Sequence, residues 1–182
     1  SELVFDGQPC GSFLSNPGAQ EIGVEFNALS KTYGLAGARI GFCIGNKEVV
    51  KHLKMLKSNM DYGMFLPIQK AAIAAISGDQ SCVASTRAAY ERRRDCLCDG
   101  LASIGWKMEK PEGTMFVWAP IPAGFTDSLE FVKALFEKAG VLVTPGSAFG
   151  PSGEGHVRMA LVQDEDAINL AVRRIDESGI LK

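Results

Sequence analysis

Four apolar residues, Val83, Tyr90, Leu97 and Ile104, recur at intervals of seven, with Leu101 filling the stripe between them. Seven residues are close to two turns of an α-helix, so these side chains line one face of a single long helix over residues 81–104. A helix of that length suits a domain-linking element, and the patterns on its two sides differ. Strand and helix signals of the α/β kind precede it, and those of a small α+β domain follow. The predicted domains are therefore 1–80 and 81–182, which a chain of 182 residues can accommodate.

In the first part, Glu2-Leu3-Val4-Phe5 is predicted to be the end of a strand that runs into a turn at Asp6-Gly7. A chain that opens in mid-element with no initiator Met is read as a piece of a longer protein. Ile22 to Phe26 and Ala38 to Ile44 are predicted strands, joined by a polar, glycine-bearing loop over 27–37. Residues 47–60 place Val49, Val50, Leu53 and Leu56 at helical spacing with lysines between them. Pro67 then opens a helix whose Ile68, Ala72, Ala75 and Ile76 face inward and which Gly78 ends. In the second part, strands are expected at 106–109, 114–120, 141–144 and 156–162. Helices are expected from Asp127 to Gly140, with Asp127 and Glu130 as a capping box, and from the cap Asp164 to about Ser178.

Composition narrows the function. With 46% hydrophobic residues, 22% charged residues and a formal net charge of -2, the chain has no basic surface of the kind nucleic acid needs. Arg92-Arg93-Arg94 lies beside Glu91 and Asp95 and reads as a salt-bridged helix face. The longest apolar runs are far shorter than the ~20 residues of a membrane helix. The cysteines, Cys10, Cys43, Cys82, Cys96 and Cys98, lack the paired spacing of a zinc site and are expected to be reduced thiols of a cytoplasmic protein. His52 and His156 read as solvated or structural.

The stretch with chemistry in it is Ala28-Leu29-Ser30-Lys31-Thr32-Tyr33-Gly34-Leu35-Ala36-Gly37-Ala38-Arg39-Ile40-Gly41-Phe42. A lone lysine in a loop is ordinarily a solvated charge. Lys31 follows an apolar strand directly, has a hydroxyl on each side, and is succeeded eight residues later by Arg39 among small residues. Gly37 and Gly41 leave room for a bulky ligand near the backbone. An amine becomes a Schiff-base nucleophile when burial or neighbouring cations favour its neutral form, and Arg39 would add positive potential and a bidentate phosphate ligand. Amine and phosphate clamp together suggest a phosphorylated aldehyde. The glycines fit neither the dinucleotide nor the P-loop spacing.

Ser30-Lys31-Thr32 through Gly37-x-Arg39-x-Gly41 resembles the cofactor-lysine signature of class I/II pyridoxal-phosphate-dependent aminotransferases. The resemblance continues through Asn59-Met60-Asp61-Tyr62-Gly63, Pro67-Ile68-Gln69, Gly113-Thr114-Met115-Phe116, Thr144-Pro145-Gly146-Ser147-x-Phe149-Gly150 and Val157-Arg158-Met159-Ala160-Leu161. It implies the C-terminal part of a fold type I transferase: the end of the large α/β domain plus the small α+β domain. It further implies that Lys31 carries pyridoxal 5'-phosphate and moves the proton between the substrate α-carbon and the cofactor, while Ser30 and Arg39 bind the cofactor phosphate. Arg158 resembles the substrate-carboxylate arginine, and the loop of Tyr62 resembles one that reaches the neighbouring subunit of a homodimer. From the residues alone, alternation over 156–162 puts Val157, Met159 and Leu161 on one face and Arg158 on the other, where a rim or salt-bridge role is the ordinary one.

Two departures stand out: Ala28 replaces the usual second serine three residues before the lysine, and Ala38 replaces a bulkier residue before the arginine. The resemblance also implies that the phosphate-binding glycine loop, the ring-stacking aromatic, the pyridine-nitrogen aspartate and a nearby tyrosine lie upstream of Ser1, so these 182 residues alone are expected to be inactive. The expected activity of the parent is amino-acid:2-oxo-acid transamination. The Asp61-Tyr62-Gly63 region resembles the branch that includes LL-diaminopimelate aminotransferases, many relatives of which use other amino acids. Other chemistry on the same cofactor (β-elimination or decarboxylation) and a non-catalytic module of a regulator stand as alternatives.

Overall fold

The computed structural model describes residues 2–182, so Ser1 lies outside the described residues. The chain divides into two compact units, 1–87 and 88–182. The division falls inside the long helix α5, Ser81–Ser103, rather than at its start as the sequence suggested.

The first unit holds α1 (Ala19–Ile22), β1 (Val24–Ala28), α2 (Leu29–Thr32), β2 (Gly41–Gly45), α3 (Lys47–Met60) and α4 (Leu66–Ser77). Strands β1 and β2 pair antiparallel, from Val24 opposite Gly45 to Ala28 opposite Gly41. Gly41 owes its identity to this pairing. A Cβ there would stand 2.7 Å from the carbonyl oxygen of Asn27, so the room inferred for a ligand is taken up by β1. The predicted N-terminal strand is reduced to an isolated bridge at Val4, and β1 starts at Val24 because Ile22 closes α1.

Helix α3 spans the predicted residues. The Asn46 side chain accepts from the backbone N–H of Glu48 and Val49 and so satisfies two donors of its first turn. Its apolar stripe is real but uncovered, and no residue of α3 is buried. In α4, Ala72 is buried as expected, whereas Ile76 is exposed. Ile22 at 82%, Met60 at 75% and Phe26 at 71% exposure show that this unit leaves apolar surface which its own described residues do not cover. A two-stranded hairpin is marginal by itself, and a stripe of this kind stabilises only when something packs on it.

The second unit is built around one core. After the C-terminal part of α5 come β3 (Phe116–Pro120), α6 (Ser128–Ala139), β4 (Thr144–Pro145), β5 (His156–Ala160) and α7 (Glu165–Ser178). The antiparallel sheet has the order β3-β5-β4. Val117 and Ala119 of β3 and Val157 and Met159 of β5 are buried together with Leu97 and Leu101 of α5, Phe131 and Leu135 of α6, and Ile168 and Val172 of α7. Each of the larger side chains among these, Ala119 excepted, contributes roughly 1.5–3 kcal/mol by its burial. Asp127 caps α6 by accepting from Leu129 and Glu130, Asp164 caps α7 by accepting from Ala167, and α6 stops at Gly140.

The strand predicted at 106–109 does not form. Trp106 is instead a side-chain anchor: its indole N–H donates to the Pro120 carbonyl at 2.8 Å and its ring meets Phe131 edge-on at 5.2 Å. The loop after β4 depends on a glycine pair. A Cβ on Gly146 would overlap the carbonyl oxygen of Gly153, because the two backbones touch. Gly146→Ala is therefore expected to lower unit stability by about 2–4 kcal/mol, while Gly37→Ala, where a Cβ meets only open space, should be near neutral. Urea unfolding followed by tryptophan fluorescence checks the first, and backbone circular dichroism checks the second.

Candidate functional site

The lysine segment is assembled at the foot of the β1–β2 hairpin. At Ala28 the chain leaves β1 and turns at once into α2, so Lys31 sits on a helical turn and not in the loop that the sequence suggested. Leu29 is the buried anchor of this turn, and its N–H donates to the Ile40 carbonyl at 3.4 Å. Ala28 occupies the cap position, and no side-chain hydrogen bond closes that end. A 3₁₀ turn, Ala36–Ala38, packs against α2 and ends at Arg39. Ser30, Lys31 and Arg39 thus belong to one small helix-turn segment.

Arg39 adopts a left-handed backbone with φ 51°, and its Nη1 donates to the Ala36 carbonyl at 3.2 Å. Such a conformation costs a residue with a Cβ roughly 1–2 kcal/mol, so the segment holds some strain at this cation. Lys31 is exposed, and among the described residues its amine has neither an ion pair nor a hydrogen bond. The burial expected from the sequence is not supplied by its own neighbours. Tyr33 donates its hydroxyl to the Gln80 side chain at 2.8 Å, a packing role. Tyr62, between α3 and α4, is fully exposed.

In the second unit the strand alternation delivers Arg158 as expected. Val157 and Met159 are buried, and Arg158 stands on the opposite face of β5, directly across from Trp118 of β3 and Thr144 of β4. The expected salt-bridge role does not appear, since no carboxylate among the described residues pairs with it. Its neighbours are aromatic: the guanidinium carbon lies 4.2 Å from the Phe116 ring centroid and 4.3 Å from that of Phe149. These two rings were not singled out individually in the sequence. The signal for Phe116 was present, because Phe116 and Trp118 alternate with the buried Val117 and Ala119 and so share the face of Arg158.

Phe149 is held by a polar anchor. Its 3₁₀ turn, Gly146–Phe149, is tied to the start of α6 by a bond between the hydroxyls of the fully buried Ser128 and Ser147 at 3.1 Å. Glu154 accepts from the N–H groups of Ser128 at 2.6 Å and Gly155 at 2.7 Å. The Gly155 and Ser128 backbone bonds hold the Glu154 carboxyl below its usual range. The five cysteines are thiols rather than disulfides, burial pushes the Cys98 thiol up to about 11, and no group of His, Cys, Asp and Glu among the described residues could hold a metal ion. No helix is long and apolar enough to cross a membrane.

The family model for aminotransferase class I and II matches residues 12–175. The chain belongs to that family. Its members depend on pyridoxal phosphate. The chain is 44% identical over 175 residues to the LL-diaminopimelate aminotransferase of Moorella thermoacetica, covering 96% of this chain and 45% of that protein. It is 48% identical over 177 residues to the glutamate-pyruvate aminotransferase AlaC of Escherichia coli, covering 96% and 43%. Among solved structures, apo-BacF from Bacillus subtilis matches with a TM-score of 0.91 at 38% identity, covering 97% of this chain and 45% of that one. An aminotransferase from Staphylococcus aureus matches at 0.91 and 30% identity, covering 100% and 48%. The fold is thus that of fold type I aminotransferases, and the chain spans under half the length of these relatives.

Strain at Arg39 yields a test. Arg39→Gly should keep or raise the thermal midpoint of this family member, because glycine takes the left-handed conformation without cost, whereas Arg39→Val should lower it by an amount equivalent to roughly 1–2 kcal/mol. Paired melting curves decide between strain and mere tolerance.

Proposed function

We propose that the whole protein is an amino-acid:2-oxo-acid aminotransferase and that Lys31 carries its pyridoxal 5'-phosphate. The observation that supports the reading best is that Arg158 of the family-like motif stands on its sheet face between two aromatic rings, with no acidic partner among the described residues. A half-buried guanidinium with no carboxylate beside it is suited to take one from a ligand, whereas the exposed Lys31 is solvated and its role rests on its place in the motif.

The residues fit the cofactor. When bound, pyridoxal phosphate supplies an electron sink for charge developing at the substrate α-carbon. Lys31 would hold it, and its amine would serve as the general base that moves the proton at the substrate α-carbon. Arg39, whose guanidinium spends one N–H on the Ala36 carbonyl, has further donors for the phosphate, and the Ser30 hydroxyl adds another. Arg158 takes the α-carboxylate of the amino acid and then of the oxo acid.

Tyr62 contributes to substrate binding across a homodimer, a role supported by its full exposure beside the exposed Met60 and Phe65. The first unit, 1–87, supplies the end of the large cofactor-binding domain and the second, 88–182, the small domain. Five cysteines without a disulfide fit a reducing cytoplasmic compartment. No nucleic acid or membrane partner is assigned.

The test is a product assay on the whole protein with a panel of amino acids, with and without 2-oxoglutarate. Amino transfer that requires the oxo acid and disappears in Lys31→Ala is the expected outcome. Release of ammonia and pyruvate without oxo acid would replace transamination by elimination. The 182-residue chain by itself should show no transfer.

A further inference from the structure

We infer that Phe116 and Phe149 are positioning residues that restrict what Arg158 can bind, an inference that rests on the carboxylate reading of Arg158 and deepens it. The two rings reach Arg158 from different sides. In the order β3-β5-β4, Phe116 belongs to the strand on one flank of β5, while Phe149 follows directly from β4 on the other. Their centroids lie 4.2 and 4.3 Å from the guanidinium carbon, within range of cation–π attraction.

A guanidinium is a flat cation whose hydrogen-bond donors all point outward in its own plane. The two rings occupy the space next to the guanidinium carbon on the β3 and β4 flanks, and the N–H edge is the approach inferred to be left to an anion. A planar carboxylate matches two parallel N–H donors in that plane, and a tetrahedral oxyanion such as sulfate or phosphate fits the narrowed slot less well. The rings also replace the acidic residue that would otherwise orient the arginine, so Arg158 is held in place while its charge stays available.

The frame around the rings supports a positioning role. Phe149 meets Trp118 edge-on at 5.7 Å, and Trp118 stacks on His156 at 5.5 Å with 14° between the planes. Phe149 is further tied through its turn to Ser128 of α6, and Phe116 lies opposite Ala160, whose small side chain leaves the ring free to lean over Arg158.

Phe149→Leu, Phe149→Tyr and Phe116→Leu in the whole protein, alone and combined with Arg158→Lys, test this by steady-state kinetics and by competitive inhibition with propionate and sulfate. Phe149→Leu and Phe116→Leu should each raise KM for the amino acid on the order of tenfold, with the effect falling on KM and not on kcat. Inhibition by propionate should weaken in parallel, relative inhibition by sulfate should strengthen, and Phe149→Tyr should restore the parental pattern. In the Arg158→Lys background the leucine substitutions should add almost nothing, a non-additivity that general loss of folding would not produce. Additive losses, or an unchanged propionate-to-sulfate ratio in both leucine variants, would overturn the positioning role. If Arg158→Lys leaves propionate inhibition and KM unchanged, the carboxylate reading of Arg158 itself fails, and this inference with it.

Discussion

The alternation of β5 is the constraint on which the second unit depends. Val157 and Met159 must point into a core already filled by Leu101, Phe131, Leu135 and Ile168, and a strand cannot bury both faces against one layer of helices. Arg158 is thereby placed on the opposite face with no freedom of register, since a slip by one residue would drive a guanidinium into that core. The partners across the sheet follow the same parity, so Phe116 and Trp118 share its face as a consequence of burying Val117 and Ala119. Chemistry on one face of this sheet is thus fixed by packing on the other.

The first unit shows the converse situation. Its local signals are strong, with an Asn46 cap on α3, a hairpin in defined register and a buried Leu29 that sets the lysine turn, yet apolar side chains such as Ile22, Phe26 and Met60 are left to solvent. Local propensity and capping form elements, whereas burial of a face requires a neighbour. A chain matching under half the length of its relatives is consistent with that pattern. Lys31 is exposed in the same unit, and its own turn gives the amine no burial.

Much of this was legible in the sequence wherever a period or a cap marked an element. Helix α3 and the long α5 follow from their apolar period, α6 between Asp127 and Gly140 and α7 behind Asp164 from their caps and stops, and Arg158 was placed on its face by simple alternation. Errors gathered where side-chain contacts override strand-like composition. Trp106 was mistaken for the start of a strand because its indole bond to Pro120 and its edge-on contact with Phe131 are tertiary, and Gly41 for ligand space because its neighbour is the opposite strand. The aromatic flanks of Arg158 were missed for a related reason: Phe149 arrives from a turn after β4, and no spacing rule links residue 149 to residue 158.

The central claim is that Lys31 is the covalent anchor of the cofactor, and one measurement addresses it without any assay of turnover. The whole protein is loaded with pyridoxal phosphate, reduced with borohydride, digested, and its peptides are mapped by mass spectrometry. A phosphopyridoxyl mass on the peptide containing Lys31, lost on omission of the cofactor, is the expected result. Stoichiometric label on any other lysine, with Lys31 unmodified, would contradict the account.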